Sequence, residues 1–214
     1  MYPSGNLSIP AEHGQLEAIL KEPRTGPPKG VALVLHPHPL GGGTMHNKVV
    51  FRAAAALNDA GLITLRIYFR GVGQSTGAHD EGRGERDDVR AGLDYLSSTY
   101  QNLSTTLCGF SFGARVGLEV GIADQRVRYL IGIGVPVNKY DFEFLQACRK
   151  PLLLVHGEHD EFGEADQVRQ IAADLEPLTH VRLVIIPGAG HFFEDKLDEL
   201  KRAITEWITA QLAA

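Results

Sequence analysis

The chain has only two cysteines among its 214 residues. Cys108 sits inside an apolar run and Cys148 near a predicted helix end, which gives no disulfide framework and fits a reducing compartment. It also lacks any run or stripe of Lys and Arg, and its formal net charge is −5. The electrostatic footprint needed to hold phosphate backbones is therefore missing, and nucleic acid is not an expected partner. No segment approaches the roughly 20 apolar residues of a membrane-spanning helix. Met1 to Asn6 has neither a basic region nor an apolar stretch behind it. A soluble, cytoplasmic protein with no membrane partner is expected. Repeats, low-complexity tracts and long linkers are also wanting, and Gly26-Pro27-Pro28-Lys29-Gly30 reads as a turn before a strand. A single domain over 1–214 is the expectation, and a hydrophobic fraction of 43% is enough to build its core without disulfides or metals.

What is present is an alternation of short runs rich in Val, Ile and Leu with longer amphipathic stretches, the pattern of parallel strands joined by crossover helices. Strands are predicted at Val31 to His36, Leu62 to Phe69, Thr105 to Phe110, Tyr129 to Val135, Pro151 to His156 and Val181 to Pro187. Helices are predicted at Asn47 to Ala60, Glu85 to Ser98, Phe112 to Asp124, Asn138 to Cys148, Glu164 to Leu175 and Glu194 to Gln211. Asn6 to Pro10 and Gln15 to Leu20 flank His13-Gly14 and read as an edge hairpin. The fold class is α/β: a doubly wound, mostly parallel sheet of about seven or eight strands with helices on both faces. Ligands of such sheets bind beyond the carboxyl ends of the strands.

Three of those strand ends carry chemistry. Gly109-Phe110-Ser111-Phe112-Gly113 lies between a strand and a helix, where paired glycines relieve the crowding of a sharp turn that exposes a serine hydroxyl. His156-Gly157-Glu158-His159-Asp160 follows a second strand, and Gly188-Ala189-Gly190-His191 a third. A serine hydroxyl is a weak nucleophile until a neutral imidazole takes its proton, and a carboxylate fixes the imidazole tautomer. Ser111 is thus the candidate nucleophile, His191 the base and Asp160 the acid. Glu158 and Asp166 are rival acids, His156 and His159 rival bases. His156 reads better as a packed strand-end residue and His159 as a solvated one.

The loop after the first parallel strand, His36-Pro37-His38-Pro39-Leu40-Gly41-Gly42-Gly43, is a candidate source of an oxyanion-binding amide, the other being that of Phe112. Prolines have no amide hydrogen, so His38 and Leu40 remain before the glycines, with the spacing leaning to His38. His36, His38 and His46 lack a carboxylate or fourth ligand at a familiar metal spacing, and the glycines lack a nucleotide-binding pattern. Neither metal nor cofactor is expected.

Taken together, the His-Pro-His-Pro loop, the Gly-Phe-Ser-Phe-Gly elbow and the final Gly-His-Phe-Phe resemble the α/β-hydrolase superfamily, specifically its small bacterial members. Phe69-Arg70-Gly71-Val72-Gly73-Gln74-Ser75 resembles a further loop of that family. The resemblance runs from about Val31 to the C-terminus and implies esterase-like or thioesterase-like chemistry without a cofactor. The interval Pro136 to Lys150, where larger relatives insert a helical cap, has room for one short helix, so a cap-less, open site for a small-molecule ester is expected. Leu40, Phe112, Phe162 and Phe192 are the candidates to wall its acyl pocket. Core packing is an equal alternative for the phenylalanines and is slightly favoured for Phe192. The same triad serves lactone or dienelactone-type hydrolases and acyltransferases, and a non-catalytic binding protein is the reading from another class. A homodimer is compatible with the sequence, with no feature that demands one.

Overall fold

The computed structural model describes residues 5–213. They are organised by one eight-stranded sheet in the order β1-β2-β4-β3-β5-β6-β7-β8. The strands are β1 (Gly5–Ala11), β2 (Gly14–Lys21), β3 (Gly30–Leu35), β4 (Leu62–Ile67), β5 (Thr105–Phe110), β6 (Val127–Ile133), β7 (Leu152–Gly157) and β8 (Val181–Ile186). The expected hairpin is β1 and β2, antiparallel to each other, with β2 antiparallel to β4 and every later pairing parallel. Residues 1–4 and 214 of the expected domain lie outside the described residues.

Helices α1 (Lys48–Asp59) and α5 (Leu197–Ala213) cover one face, and α2 (Glu85–Thr99), α3 (Phe112–Ala123) and α4 (Ala165–Leu175) the other. The alternation of side chains along a strand divides the core accordingly. In β3, Val31, Leu33 and Leu35 pack with α2 and α3, while Ala32 and Val34 face α1 and α5. Among the described residues no helix is long and apolar enough to cross a membrane.

Two predicted helices need correction. Asn138 to Cys148 is not an α-helix: only Glu143–Ala147 is helical, as a 3-10 helix. Amides of Lys139 and Tyr140 close a turn on the Pro136 carbonyl, and the Asp141 side chain accepts from the Glu143 amide 2.6 Å away, so local capping competes with helix propagation. Helix α5 begins at Leu197 rather than Glu194 because Phe193 and Asp195 adopt left-handed φ values of 54° and 57°. The interval between β6 and α4 has no cap.

The loop after β4 is anchored by a buried carboxylate. Asp88, near the start of α2, accepts from the Arg70 amide at 2.8 Å, Nε at 3.1 Å and Nη2 at 2.9 Å, and lies 2.9 Å from His13 Nε2. Removing it strands the mostly buried Arg70 guanidinium, so Asp88→Ala is expected to lower stability by about 3–5 kcal/mol in urea unfolding. A loss under about 1 kcal/mol, the range of exposed pairs, contradicts that role.

Candidate active site

Ser111 ends the β5-to-α3 turn with φ 55° and ψ −119°, a left-handed conformation that a non-glycine residue holds only at a cost. A Cβ at Gly109 would strike the Gly113 carbonyl, and one at Gly113 would strike the carbonyls of Leu35 and His36. Both elbow glycines therefore answer to close backbone approach. Ser111 Oγ lies 2.9 Å from His191 Nε2. His191 Nδ1 lies 2.9 and 2.8 Å from the two carboxylate oxygens of Asp160. Asp160 Oδ1 also accepts from the Phe162 amide at 2.9 Å, which fixes the carboxylate from its own loop. These three residues, from the ends of β5, β7 and β8, are all buried.

A family profile described as an alpha/beta hydrolase domain matches residues 30–211. The chain belongs to this family. Crystallised XC6422 of Xanthomonas campestris, an α/β serine hydrolase without a lid, is 33% identical with a TM-score of 0.90 over 100% of this chain and 98% of its own. A serine hydrolase homologue from Coxiella burnetii is 35% identical with a TM-score of 0.88, over 97% of this chain and 100% of that one. The uncharacterized protein RP471 of Rickettsia prowazekii is 41% identical over 86% of this chain and 80% of that one. The fold is thus that of a lidless α/β serine hydrolase, and hydrolysis is the chemistry it supports.

The rival groups have other partners in the hydrolase, although His156 Nε2 also lies 3.7 Å from Asp160 Oδ2. Glu158 accepts from the Gly188 amide at 2.8 Å, and Asp166 pairs with Arg169 on the surface. His159 is exposed. His156 is buried and its Nε2 sits 2.7 Å from the Gly163 carbonyl, closing the loop that carries Asp160. Glu161, not singled out from sequence, accepts from the His191 amide at 3.3 Å.

In front of Ser111 is a cavity of about 320 Å³ whose walls include His38, Phe112, Tyr140, Phe162 and Phe192. Phe162 and Phe192 stand with ring centroids 4.5 and 5.1 Å from that of His191. Phe192 is 42% exposed, so the lean toward core packing is corrected; the buried apolar residue here is its neighbour Phe193. Leu40 is a second correction. It is 77% exposed and outside the cavity lining, and its amide is taken by His38 Nδ1 at 3.2 Å because Pro39-Leu40-Gly41 forms a 3-10 turn capped by His38. Among the described residues, the amides of His38 and Phe112 donate to no protein group. Tyr140, Lys139 and Asn47 also line the cavity and carried no signal in sequence, since tertiary packing alone brings them there.

The three clustered histidines have separate surroundings. His36 is fully buried, with Nε2 accepting from the Phe69 amide at 3.0 Å and Nδ1 therefore donating to the Pro37 carbonyl at 2.7 Å. It ties the start of the loop after β3 to the loop that Asp88 anchors. The His38 ring packs against His79 and Phe112, and His46 edges onto Tyr68. Burial lowers the His36 pKa from 6.5 to about 4. The unfolded chain then binds the extra proton first, so this histidine's contribution is present above pH 6.5 and is lost as pH falls toward 4. The expected loss is about 3 kcal/mol. Unfolding at pH 7 and 4 should show this excess acid sensitivity in the wild type and not in His36→Asn; equal sensitivity contradicts it.

Proposed function

We propose that this hydrolase cleaves small or short-acyl carboxylic esters, or thioesters, through an acyl-enzyme on Ser111. The observation that carries the reading is the hydrogen-bonded series Ser111 Oγ, His191 and Asp160 opening onto the 320 Å³ cavity. His191 takes the serine proton as Ser111 attacks the carbonyl, and Asp160 holds the imidazole in the tautomer that accepts at Nε2. The carbonyl oxygen gains negative charge as the tetrahedral intermediate forms. The unengaged amides of His38 and Phe112 are assigned to it, the latter reinforced by the N-terminus of α3. The ester C–O bond then breaks and the departing oxygen takes the proton from His191. Water activated by the same histidine releases the acid. No metal or cofactor enters these steps.

The acyl group is assigned to the space between Phe112, Tyr140 and Phe162. Without a cap, a long chain would leave this space and lie in water, gaining little from added methylenes. Turnover of p-nitrophenyl esters is therefore expected to fall as the acyl chain grows beyond a few carbons. A rise toward long chains contradicts the open-site reading, and no turnover of any ester or thioester favours a binding protein.

A further inference from the structure

Beside the catalytic cavity is a second depression of about 650 Å³ where the starts of α1 and α5 meet. Both are walled by Gly42, Asn47 and Phe192, so they adjoin at these residues. Their linings differ in kind. Outside the triad, Lys139 is the only Lys, Arg, Asp or Glu among the described residues that line the catalytic cavity. The second depression is lined by His46, Lys48 and Arg52 and by Glu194, Asp195 and Asp198.

The dividing wall follows directly from the backbone after the catalytic histidine. Left-handed φ values at Phe193 and Asp195 bury Phe193 completely and leave Phe192 standing between the two spaces. Phe192 also follows His191, whose Nε2 must hand its proton to the departing oxygen. The Phe192 ring lies 5.1 Å from that of His191, so a leaving group taking its proton from Nε2 can reach across Phe192 into the second depression while the acyl group keeps to the side of Phe112 and Tyr140.

The charges of the second depression oppose one another. Arg52 and Asp198 lie 3.4 Å apart, and the remaining acids and Lys48 leave no field of one strong sign to select an ion. What the depression offers is hydrogen-bond donors and acceptors side by side. Hydroxyl groups, which both donate and accept, match such a lining, whereas an alkyl leaving group would desolvate it without return. We infer that the esters taken by this enzyme carry a polyhydroxylated leaving group, of the glycerol or sugar kind, held in the depression between α1 and α5 with Arg52 and Asp198 among its contacts. The inference rests on the esterase reading above and adds the alcohol half of the substrate.

The test compares ethyl, glyceryl, glucosyl and p-nitrophenyl esters of one short acid, with wild type, Arg52→Ala and Asp198→Ala. The Arg52 to Asp198 pair is exposed, so neither substitution should disturb the fold. The expected result is a kcat/KM about tenfold or more above the ethyl ester for the hydroxylated esters, lost in both variants. Turnover of the ethyl ester, whose leaving group is too short to reach Arg52 or Asp198, should stay unchanged. Equal wild-type rates for ethyl and hydroxylated esters overturn the inference and leave the esterase reading standing. A preference that survives both substitutions, or variants that lose all four substrates alike, overturns it as well. Failure to cleave even the p-nitrophenyl ester overturns the esterase reading and this inference with it.

Discussion

Ser111→Ala is expected to lower kcat by about 10⁶-fold and to abolish the covalent adduct that a fluorophosphonate forms with the wild type. The size of the loss follows from the hydrogen bond between Oγ and His191 Nε2, and among the described residues no other side-chain hydroxyl bonds to that nitrogen. Alanine keeps a Cβ at the same left-handed position, so the elbow carries the same backbone strain in both proteins. Denaturation midpoints should therefore agree closely, and lost activity can be read as lost chemistry. Intact-mass measurement with peptide mapping is the check. An adduct on any other residue, or one that persists in the variant, contradicts the assignment of the nucleophile.

Asp160→Asn should cost about 10⁴-fold in kcat with the fold intact. The loop decides which way the new amide faces. Oδ1 is held by the Phe162 amide, so the asparagine carbonyl keeps that contact and its NH₂ takes the place of Oδ2, 2.8 Å from His191 Nδ1. An NH₂ donor there leaves Nδ1–H only the Oδ1 contact at 2.9 Å, already shared with the Phe162 amide, and favours the tautomer with the proton on Nε2, which cannot take the proton of the serine. Glu158→Gln should change turnover little, because a glutamine oxygen can still accept from the Gly188 amide. A large loss in Glu158→Gln with activity retained in Asp160→Asn would reverse the choice of acid.

The strands that deliver these residues were legible in the sequence because each is a short buried run ending in glycine-bearing turns, and the chemistry sits at the ends. Asp160 is preferred over Glu158 and Asp166 for lying two or three loop residues past a strand, and its carboxylate is the one within hydrogen-bond reach of His191. Local patterning failed where backbone competition decides the outcome, as at Asp141, whose side chain captures a nearby amide and prevents an α-helix. It failed again at Leu40, where an unnoticed 3-10 turn moves a leucine from the expected wall into solvent. The roles of His36 and Asp88 depend on partners 33 and 18 residues away, and no spacing rule announces such contacts. Tyr140 and Lys139 reach the cavity only because β6 lies between β5 and β7 in the finished sheet.

Ser111 and His191 are 80 residues apart in the chain, and β3 is closed in on both sides only when β5 has been made. During synthesis the serine therefore leaves the ribosome long before the histidine it bonds. A nascent, stalled or clipped chain that stops short of His191 presents an ordinary hydroxyl with the reactivity of any surface serine. On the proposed mechanism, hydrolytic power is thus withheld from every shorter intermediate, and recovery of activity after denaturation would report the docking of β7 and β8 rather than the formation of the elbow itself.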